Sequence, residues 1–247
     1  MTDIRGTTTL VGLFGWPTAH SLSPRMQNAG FAALGLDWAY VPLATPPERL
    51  GDGVRGLVAT GFAGANVTIP HKEAVIAFCD ELDDVAATAG SVNTLVIEDD
   101  RVLGSSTDGL AVTSQIEAEG RRALVLGTGG ASKAVVAALE AAGAEVVVVG
   151  RRDAGWPPPP DGFDVLVNAT PVKDEVVVPP VPDMQVVDLA YNPDGRPTAL
   201  IAAAVEIDCH PCVDGLDILV AQGAASFERW TGEPAPLVAM RAALRGR

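Results

Sequence analysis

The sequence predicts an α/β protein with two domains: an N-terminal α/β domain with a mostly parallel sheet, and a Rossmann-like domain with a doubly wound sheet. Strand-like apolar runs alternate with helical runs along the 247 residues. The glycine-rich turn GTGGASKA at 127–134 follows the apolar run ALVL and opens a helical run, which is the setting of a dinucleotide-binding turn. About half of the chain precedes this turn, and that length is enough for a separate domain.

The first half of the chain predicts alternating strands and helices. Ser23 and Pro24 supply an N-cap and a first-turn proline for the first helix. Asp99 and Asp100 lie between two extended runs, which predict a β-hairpin that closes the first domain. The other predicted elements are, in order, strand TTLVGLFG, strand WAYVPL, helix PPERLGDGVRGLVAT, strand FAGANVTI, helix HKEAVIAFCDEL and helix DDVAATAG.

The second half predicts the succession of a doubly wound sheet. Four consecutive prolines at 157–160 exclude an ordinary helix, because proline lacks an amide donor and restricts the residue before it. We therefore predict an extended connector instead of a crossover helix, with a peptide-docking motif as the alternative. From Asp108 the predicted elements are a helix, strand ALVLG, helix ASKAVVAALEAAG, strands EVVVVG, DVLVNA and QVVDLA, and two closing helices.

Composition and charge exclude several kinds of partner. The formal net charge of −14 repels phosphate backbones and the 17 Lys and Arg form no long basic run, so we expect no nucleic-acid partner. We find neither an apolar run long enough to span a bilayer nor a secretory signal, so we expect no membrane partner and a cytoplasmic location. Cys209, His210 and Cys212 would need two more ligands to hold a metal, so we expect reduced thiols and no metal.

The glycine turn has the chemistry of a pyrophosphate site. Gly127 can take the tight bend, Gly129 lets the backbone approach the anion, and a helix beginning near Gly130 directs amide N–H groups at it. Ser132 stands at the third-glycine position, where a small residue still permits close packing. The residues predicted to bind the cofactor here are Gly127, Thr128, Gly129, Gly130, Ala131 and Ser132.

The residues after the next strand bear on the choice of cofactor. A lone acid at this place favours hydrogen bonds to the ribose of NAD, whereas arginines favour the 2′-phosphate of NADP. The sequence has Arg151 and Arg152 followed by Asp153. Two arginines outweigh one aspartate, so we predict NADP, bound by Arg151 and Arg152, with NAD as the alternative.

A polar cluster is predicted in the first domain. Asn66 and Thr68 point the same way in an extended segment, and Pro70 then turns the chain so that Lys72 begins a helix nearby. An amide, a hydroxyl and an ammonium suit a polyhydroxylated small molecule, and the lysine can hydrogen-bond a carbonyl as it becomes an alkoxide. Asp108 follows the first domain, where it can hold the Lys72 ammonium or cap the next helix.

Taken together, several segments resemble the shikimate dehydrogenase family. They occur in the order of that family and cover nearly the whole chain. They are AHSLSP at 19–24, GANVTIPHK at 64–72, GSVNTL at 90–95, STDG at 106–109, GTGGASKA at 127–134, NATP at 168–171, DLAYNP at 188–193 and GLDILVAQGAASFERWTG at 215–232.

The resemblance implies a role for each half of the chain. Residues 1–107 with 214–247 would form the substrate-binding and catalytic domain, and residues 108–213 the NADP-binding domain. Lys72 and Asp108 match the catalytic pair, and Ser21 and Ser23 match serines that bind the substrate carboxylate. The other substrate residues it implies are Asn66, Thr68, Asn93, Asp108, Gln222 and Tyr191, and the further cofactor residues are Asp84, Asn168, Thr170, Leu189 and Gly215.

The implied reaction is reversible hydride transfer between NADP(H) and the carbon that bears the 3-hydroxyl of shikimate or the 3-keto group of 3-dehydroshikimate, in the aromatic amino-acid (chorismate) pathway. A monomer or a homodimer is expected. Two departures from the family pattern are Ser106, where asparagine is common, and Val172, Lys173 and Asp174 after NATP. They leave two alternatives open: a quinate or aminoshikimate dehydrogenase, and a non-catalytic protein that binds a shikimate-like ligand.

Overall fold

The computed structural model describes residues 4–245, which form two compact units. The first unit contains the chain up to Thr107 together with the chain from Gln222 onward, and the second contains Asp108–Ala221. Among the described residues, none of the helices is both long enough and apolar enough to cross a membrane.

The first unit is built on a six-stranded mixed sheet in the order β2-β1-β3-β5-β6-β4. Strand β1 pairs in parallel with β2 and β3, and β4 pairs in parallel with β6. The predicted hairpin around Asp99 and Asp100 is the antiparallel pair β5–β6. In chain order the elements are β1 (Thr9–Gly15), α1 (Ser23–Ala33), β2 (Trp38–Ala44), α2 (Leu50–Ala59), β3 (Gly64–Val67), β4 (Glu81–Leu82), α3 (Asp84–Ala89), β5 (Thr94–Glu98) and β6 (Arg101–Ser105).

The sheet of the first unit is covered on both faces. Alternate residues of β1 point to opposite sides, so Phe14 packs with Leu50 and Val54 of α2. Val11 and Leu13 pack instead in a cluster with Phe31 of α1 and with Phe227 and Trp230 of the C-terminal part of the chain. The alternation predicted from the sequence thus supplies a core on each side of β1.

The predicted helix at 71–82 is wrong. The chain forms a 3₁₀ helix at Ala74–Phe78 and then the short strand β4. Pairing with β6 explains the difference, because the amide of Asp80 donates to the carbonyl of Val102 at 2.8 Å and its carboxylate accepts from the amide of Val102 at 2.7 Å. These bonds hold the segment extended, and Lys72 therefore lies in a turn and not at the start of a helix.

The second unit is an all-parallel, five-stranded sheet in the order β11-β10-β9-β7-β8. Residues 150–164 contain neither a helix nor a strand, as the four prolines predicted. Strand β8, which precedes this connector, lies at the edge of the sheet. The elements are α4 (Asp108–Thr113), β7 (Arg122–Leu126), α5 (Gly130–Ala141), β8 (Glu145–Val149), β9 (Val165–Asn168), β10 (Gln185–Asp188), α6 (Ala199–Glu206) and β11 (Cys212–Val213), followed by α7 (Gly215–Thr231) and α8 (Leu237–Arg245).

Candidate active site

A buried network of polar side chains surrounds Asn66 at the end of β3. The side-chain amide of Asn66 donates to the carbonyl of Asn93 at 3.0 Å and to the hydroxyl of Ser226 at 2.9 Å. Its oxygen accepts a hydrogen bond of 2.9 Å from the Tyr40 hydroxyl. The hydroxyl of Thr94 bridges Asn93 and Ser226 at 3.0 and 2.7 Å. With these partners the Asn66 side chain is held in one orientation.

Asn93 fixes the chain immediately before Asp108. Its side-chain oxygen accepts from the amide of Thr107 at 2.9 Å, and its nitrogen donates to the Thr107 hydroxyl at 2.8 Å and to the Gln222 side-chain oxygen at 3.4 Å. The Thr107 hydroxyl also donates to the carbonyl of Gln222 at 3.0 Å. Asp108 follows as the first residue of α4 and is 6% exposed. The bonds from Asn93 and Gln222 thus fix Thr107, the last residue of this segment of the first unit.

Ser21 and Ser23 flank the start of α1. The Ser21 hydroxyl accepts from the amide of Ser23 at 3.3 Å, Ser23 is buried, and Pro24 stands in the first turn of the helix. Burial raises the pKa of the Tyr40 phenol, and the Ser23 hydroxyl beside it acts in the opposite direction. Two hydroxyls at the N-terminus of an 11-residue helix are suited to an anion such as a carboxylate.

Thr68 and Lys72 lie in a turn after β3 that the backbone anchors on both sides. The amide of Thr68 donates to the carbonyl of Phe14 at 2.8 Å, and the carbonyl of Lys72 accepts from the amide of Val92 at 2.9 Å. Between them, the ring of His71 hydrogen-bonds the carbonyl of Thr45 at 2.7 Å and is buried. Lys72 is half-buried on this fixed turn.

Tyr40, Thr94, Thr107 and Ser226 belong to the network but were not predicted. Ser226 stands four residues after Gln222 on α7, and its hydroxyl donates to the Gln222 carbonyl at 3.1 Å. Helical spacing places these two residues on one face, and that signal could have found Ser226. Tyr40 gave no such signal, because a tyrosine on a buried strand also suits an ordinary core position.

The glycine turn of the second unit has the predicted backbone geometry. Gly127 has φ +114°, and a Cβ there would lie 3.0 Å from the carbonyl oxygen of Ala169, so this position strongly favours glycine. Gly129 is extended, and a Cβ on it would meet no atom within 4 Å, so its backbone is open to approach. Thr128 is exposed, while Gly130 and Ala131 begin α5. Ser132 replaces the third glycine, and its hydroxyl donates to the carbonyl of Gly127 at 2.7 Å.

Two unpaired arginines follow β8. Arg151 and Arg152 are exposed, and neither forms a hydrogen bond or ion pair with any residue between 4 and 245. Asp153, in contrast, accepts a hydrogen bond of 2.7 Å from the amide of Gly150. A Cβ at Gly150 would lie 2.8 Å from the methyl group of Thr128, so this segment packs directly on the glycine turn. The arrangement is able to bind an additional phosphate beside a pyrophosphate site.

Asn168, Thr170, Leu189 and Gly215 lie together at the carboxyl ends of β9 and β10. The oxygen of Asn168 accepts from the amide and hydroxyl of Thr170 at 3.1 and 2.7 Å, and its nitrogen donates to the carbonyl of Val172 at 2.9 Å. The amide of Leu189 donates to the carbonyl of Asn168 at 2.9 Å. A Cβ at Gly215 would overlap the carbonyl oxygen of Ala190, so only glycine fits. Asn168 and Thr170 thus shape their own loop.

Two further predicted site residues are Asp84 and Tyr191. Asp84 is the cofactor-side residue that belongs to the first unit, where it is exposed in the first turn of α3 and Asp83 caps the helix instead. Tyr191 is half-buried in the loop that follows β10.

The three cysteines have the environment of unreactive thiols. Cys209 donates to the carbonyl of Val181 at 3.2 Å and Cys212 to the carbonyl of Cys209 at 2.9 Å, and burial raises the pKa of both thiols. All three cysteines are free. Within the described part of the chain, His, Cys, Asp and Glu form no group of three or more that is arranged to hold a metal ion.

The parallel sheet, the glycine turn and the unpaired arginines define the second unit as a Rossmann-like dinucleotide-binding fold, joined in one chain to a unit with a buried polar site. Residues 13–95 match the family model of the shikimate dehydrogenase substrate binding domain, and residues 215–245 match that of the shikimate 5′-dehydrogenase C-terminal domain. The chain belongs to the shikimate dehydrogenase family, as its motifs predicted.

Individual relatives cover nearly the full chain. The protein named shikimate dehydrogenase (NADP(+)) from Rubrobacter xylanophilus is 42% identical over 98% of each chain. A shikimate dehydrogenase crystallised in complex with NADP+ has a TM-score of 0.87 and 31% identity over 98% of this chain and 96% of that one. The enzyme of Thermus thermophilus, in complex with shikimate, has a TM-score of 0.86 and 32% identity over 96% and 98%.

Proposed function

We propose that this protein is an NADP-dependent shikimate dehydrogenase. In the oxidative direction, the hydride on the carbon that bears the 3-hydroxyl passes to NADP+, and the hydroxyl proton is released, so that shikimate becomes 3-dehydroshikimate. The observation that carries the proposal is the pairing of an anion-binding glycine turn and two unpaired arginines with the Asn66 network, in a chain 42% identical to a shikimate dehydrogenase (NADP(+)). Protein groups position the substrate, while the bound nicotinamide supplies the hydride chemistry.

The substrate would be recognised by two sets of polar residues, one for its carboxylate and one for its hydroxyls. We assign its carboxylate to Ser21 and Ser23, because their hydroxyls flank a helix N-terminus. We assign its hydroxyls to Asn66, Thr68, Asn93, Asp108 and Gln222, with Tyr191 as a further contact. The partners of Asn66 and Asn93 support this assignment, because groups held in one orientation do not have to be ordered when the substrate binds.

Lys72 and Asp108 are the proposed catalytic residues. Lys72 would give a proton to the 3-oxygen when the ketone is reduced and take it back when the alcohol is oxidised. Asp108 would hydrogen-bond the substrate and hold the Lys72 ammonium in position for proton transfer. The backbone anchors on each side of Lys72, and the Asn93 to Thr107 bonds before Asp108, support a role that requires fixed positions.

The cofactor side suits NADP. The amides at the start of α5 would receive the pyrophosphate, and Arg151 and Arg152 the 2′-phosphate. Gly127 supports this, since a Cβ at the bend would collide with the carbonyl of Ala169. Leu189, Gly215 and the loop of Asn168 and Thr170 would line the nicotinamide pocket, and Asp84 would contact the cofactor from the first unit.

We also propose a cytoplasmic protein that acts on a small molecule as a monomer or homodimer. Three free cysteines fit a reducing compartment, and a formal net charge of −14 disfavours nucleic acid as a partner.

One experiment tests the function. Initial rates of reduced-nicotinamide formation would be measured with shikimate, quinate and aminoshikimate, each offered with NADP and with NAD. We expect turnover of shikimate with NADP. Faster turnover of quinate or aminoshikimate would make the enzyme a related dehydrogenase. Ser106 keeps this alternative open, because none of the described residues hydrogen-bonds its buried hydroxyl. Thermal stabilisation by shikimate without turnover of any pair would indicate a binding protein.

A further inference from the structure

Asp188, the last residue of β10, joins three segments of the second unit. One carboxylate oxygen accepts from the side-chain nitrogen of Asn168 and from the amide of Ala190, each at 2.9 Å. The other oxygen accepts from the hydroxyl of Thr198, which caps α6, at 2.5 Å. The side chain is fully buried. A single carboxylate therefore connects the loop after β9, the loop after β10 and the start of a helix.

The surroundings of Asp188 contain donors but no compensating cation. The described residues offer it no ion pair, and the charged group that faces it is the carboxylate of Asp214, which also caps α7. Burial, and to a lesser extent Asp214, raises the pKa of Asp188 to about 6. A carboxylate accepts hydrogen bonds only, which matches the three donors around it. Such a group is costly to bury, so its presence needs a reason beyond packing.

We propose that Asp188 is a positioning residue that holds loop 168–172 and loop 189–191 in the conformation that binds NADP, an inference that rests on the proposed function. The link to the first loop is a chain of hydrogen bonds. Asp188 orients the amide of Asn168, Asn168 accepts from Thr170, and the Thr170 hydroxyl accepts from the amide of Val172 at 3.2 Å. The link to the second loop is the bond from Ala190.

Loss of the carboxylate leaves buried donors without acceptors. The amide of Ala190 and the side-chain nitrogen of Asn168 each lose an acceptor. The remaining bonds of Asn168 are to Thr170 and Val172 within its own loop, so this loop is no longer tied to Asp188. Loops 168–172 and 189–191 would sample other conformations, and NADP would have to order them on binding. Binding of NADP should weaken while contacts of the substrate with the first unit remain.

Three variants separate positioning from a merely structural role. Asp188→Ala removes all three bonds. Asp188→Asn keeps the oxygen that accepts from Asn168 and Ala190, while its nitrogen can donate to Thr198, whose hydroxyl then reverses. Thr198→Val removes only the bond to the other oxygen and the cap of α6, so it is the matched structural control.

The measurement is the equilibrium dissociation constant of NADP by titration calorimetry, with KM values for NADP and shikimate alongside. We expect the NADP constants to rise at least about tenfold in Asp188→Ala. They should stay within about threefold of the wild type in Asp188→Asn and Thr198→Val, where the KM for shikimate should change by less than about twofold. In Asp188→Ala the KM for shikimate should rise less than the NADP constants, because Tyr191 alone of the proposed substrate contacts lies in these loops. Unchanged NADP binding in Asp188→Ala, or an equal rise in Thr198→Val, would overturn the proposal.

The outcomes remain distinguishable if a variant or the proposed function fails. If Asp188→Ala does not fold, Asp188→Val, which fills more of the space but accepts no hydrogen bond, must weaken NADP binding to a similar degree. If the wild type binds NADP but does not oxidise shikimate, the proposed function fails while the dissociation constants still decide the role of Asp188. If the wild type does not bind NADP, both proposals are overturned.

Discussion

Asp153 directs its carboxylate back to the amide of Gly150, with 2.7 Å between the carboxylate oxygen and the nitrogen. An acid that follows the second strand of a Rossmann unit can bind the ribose hydroxyls of NAD, but this one is engaged in its own turn. The adjacent Arg151 and Arg152 have no partner within residues 4–245. This local geometry favours the proposed binding of a 2′-phosphate by Arg151 and Arg152.

Substitution of the arginines should weaken NADP binding selectively. We expect Arg151→Ala and Arg152→Ala each to raise the KM for NADP about tenfold, because each loses a charge-assisted hydrogen bond to phosphate. The KM for NAD should stay within about twofold. Steady-state kinetics with both cofactors measures the effect. Arg121→Ala is the control, since that arginine is exposed and pairs with Glu117; an equal rise there, or equal losses for NAD and NADP, would contradict the assignment.

Lys72 should be required for chemistry and not for folding. Removal of a proton-transfer group lowers kcat about 100- to 10,000-fold, and we expect that range for Lys72→Ala with shikimate and NADP. Lys72→Arg keeps the charge but not the amine chemistry, so it should remain at least about tenfold impaired. Circular dichroism and melting temperature check the fold. Turnover near the wild-type rate in Lys72→Ala would show that another group moves the proton.

Tyr40 should contribute to the stability of the first unit through its hydroxyl. Tyr40→Phe retains the packing of the ring but deprives the Asn66 oxygen of its hydrogen bond. We expect a loss of about 1 to 2 kcal/mol in the free energy of unfolding, measured by urea denaturation. Thr60→Ala, which removes an exposed hydroxyl bonded to the carbonyl of Gly56, is the control and should change stability less. Equal losses of stability in the two variants would indicate that the buried Tyr40 hydroxyl contributes no more than an exposed hydroxyl does.

Asp188 should make stability depend on pH in a sense opposite to that of most carboxylates. Its pKa is about 6 in the folded chain and about 4 when unfolded, so the folded state binds the proton more tightly. Stability from this group is therefore present in acid and lost as the pH rises from about 4 to 6. As the pH rises over that interval, the free energy of unfolding of Asp188→Asn should increase by up to about 3 kcal/mol relative to that of the wild type.

Urea denaturation at several pH values between about 4 and 7 measures this difference. Other titrating groups contribute equally to the stability of the wild type and of Asp188→Asn, so their contributions cancel in the difference. A stability difference that does not change with pH would show that the carboxyl titrates normally.

Local patterns in the sequence were sufficient for most of the fold. Turn chemistry and apolar alternation predicted the hairpin at Asp99 and Asp100 and the helix-free connector at 157–160. The helix predicted at 71–82 failed because Asp80 pairs with Val102, 22 residues away, and this pairing overrides local preference. The polar network was only half predicted for the same reason, since Asn66 and Ser226 are 160 residues apart.

The division of the chain has a consequence for synthesis on the ribosome. The second unit is continuous in sequence and can fold once residue 221 has emerged. The first unit must wait, because Trp230 donates to the carbonyl of Leu95 and Gln27 to that of Gly223, contacts that span 135 and 196 residues. Until then Phe31 lacks its stacking partner Phe227. The apolar side chains around Phe31 are therefore made early in synthesis but are covered only when the C-terminal helices have been made.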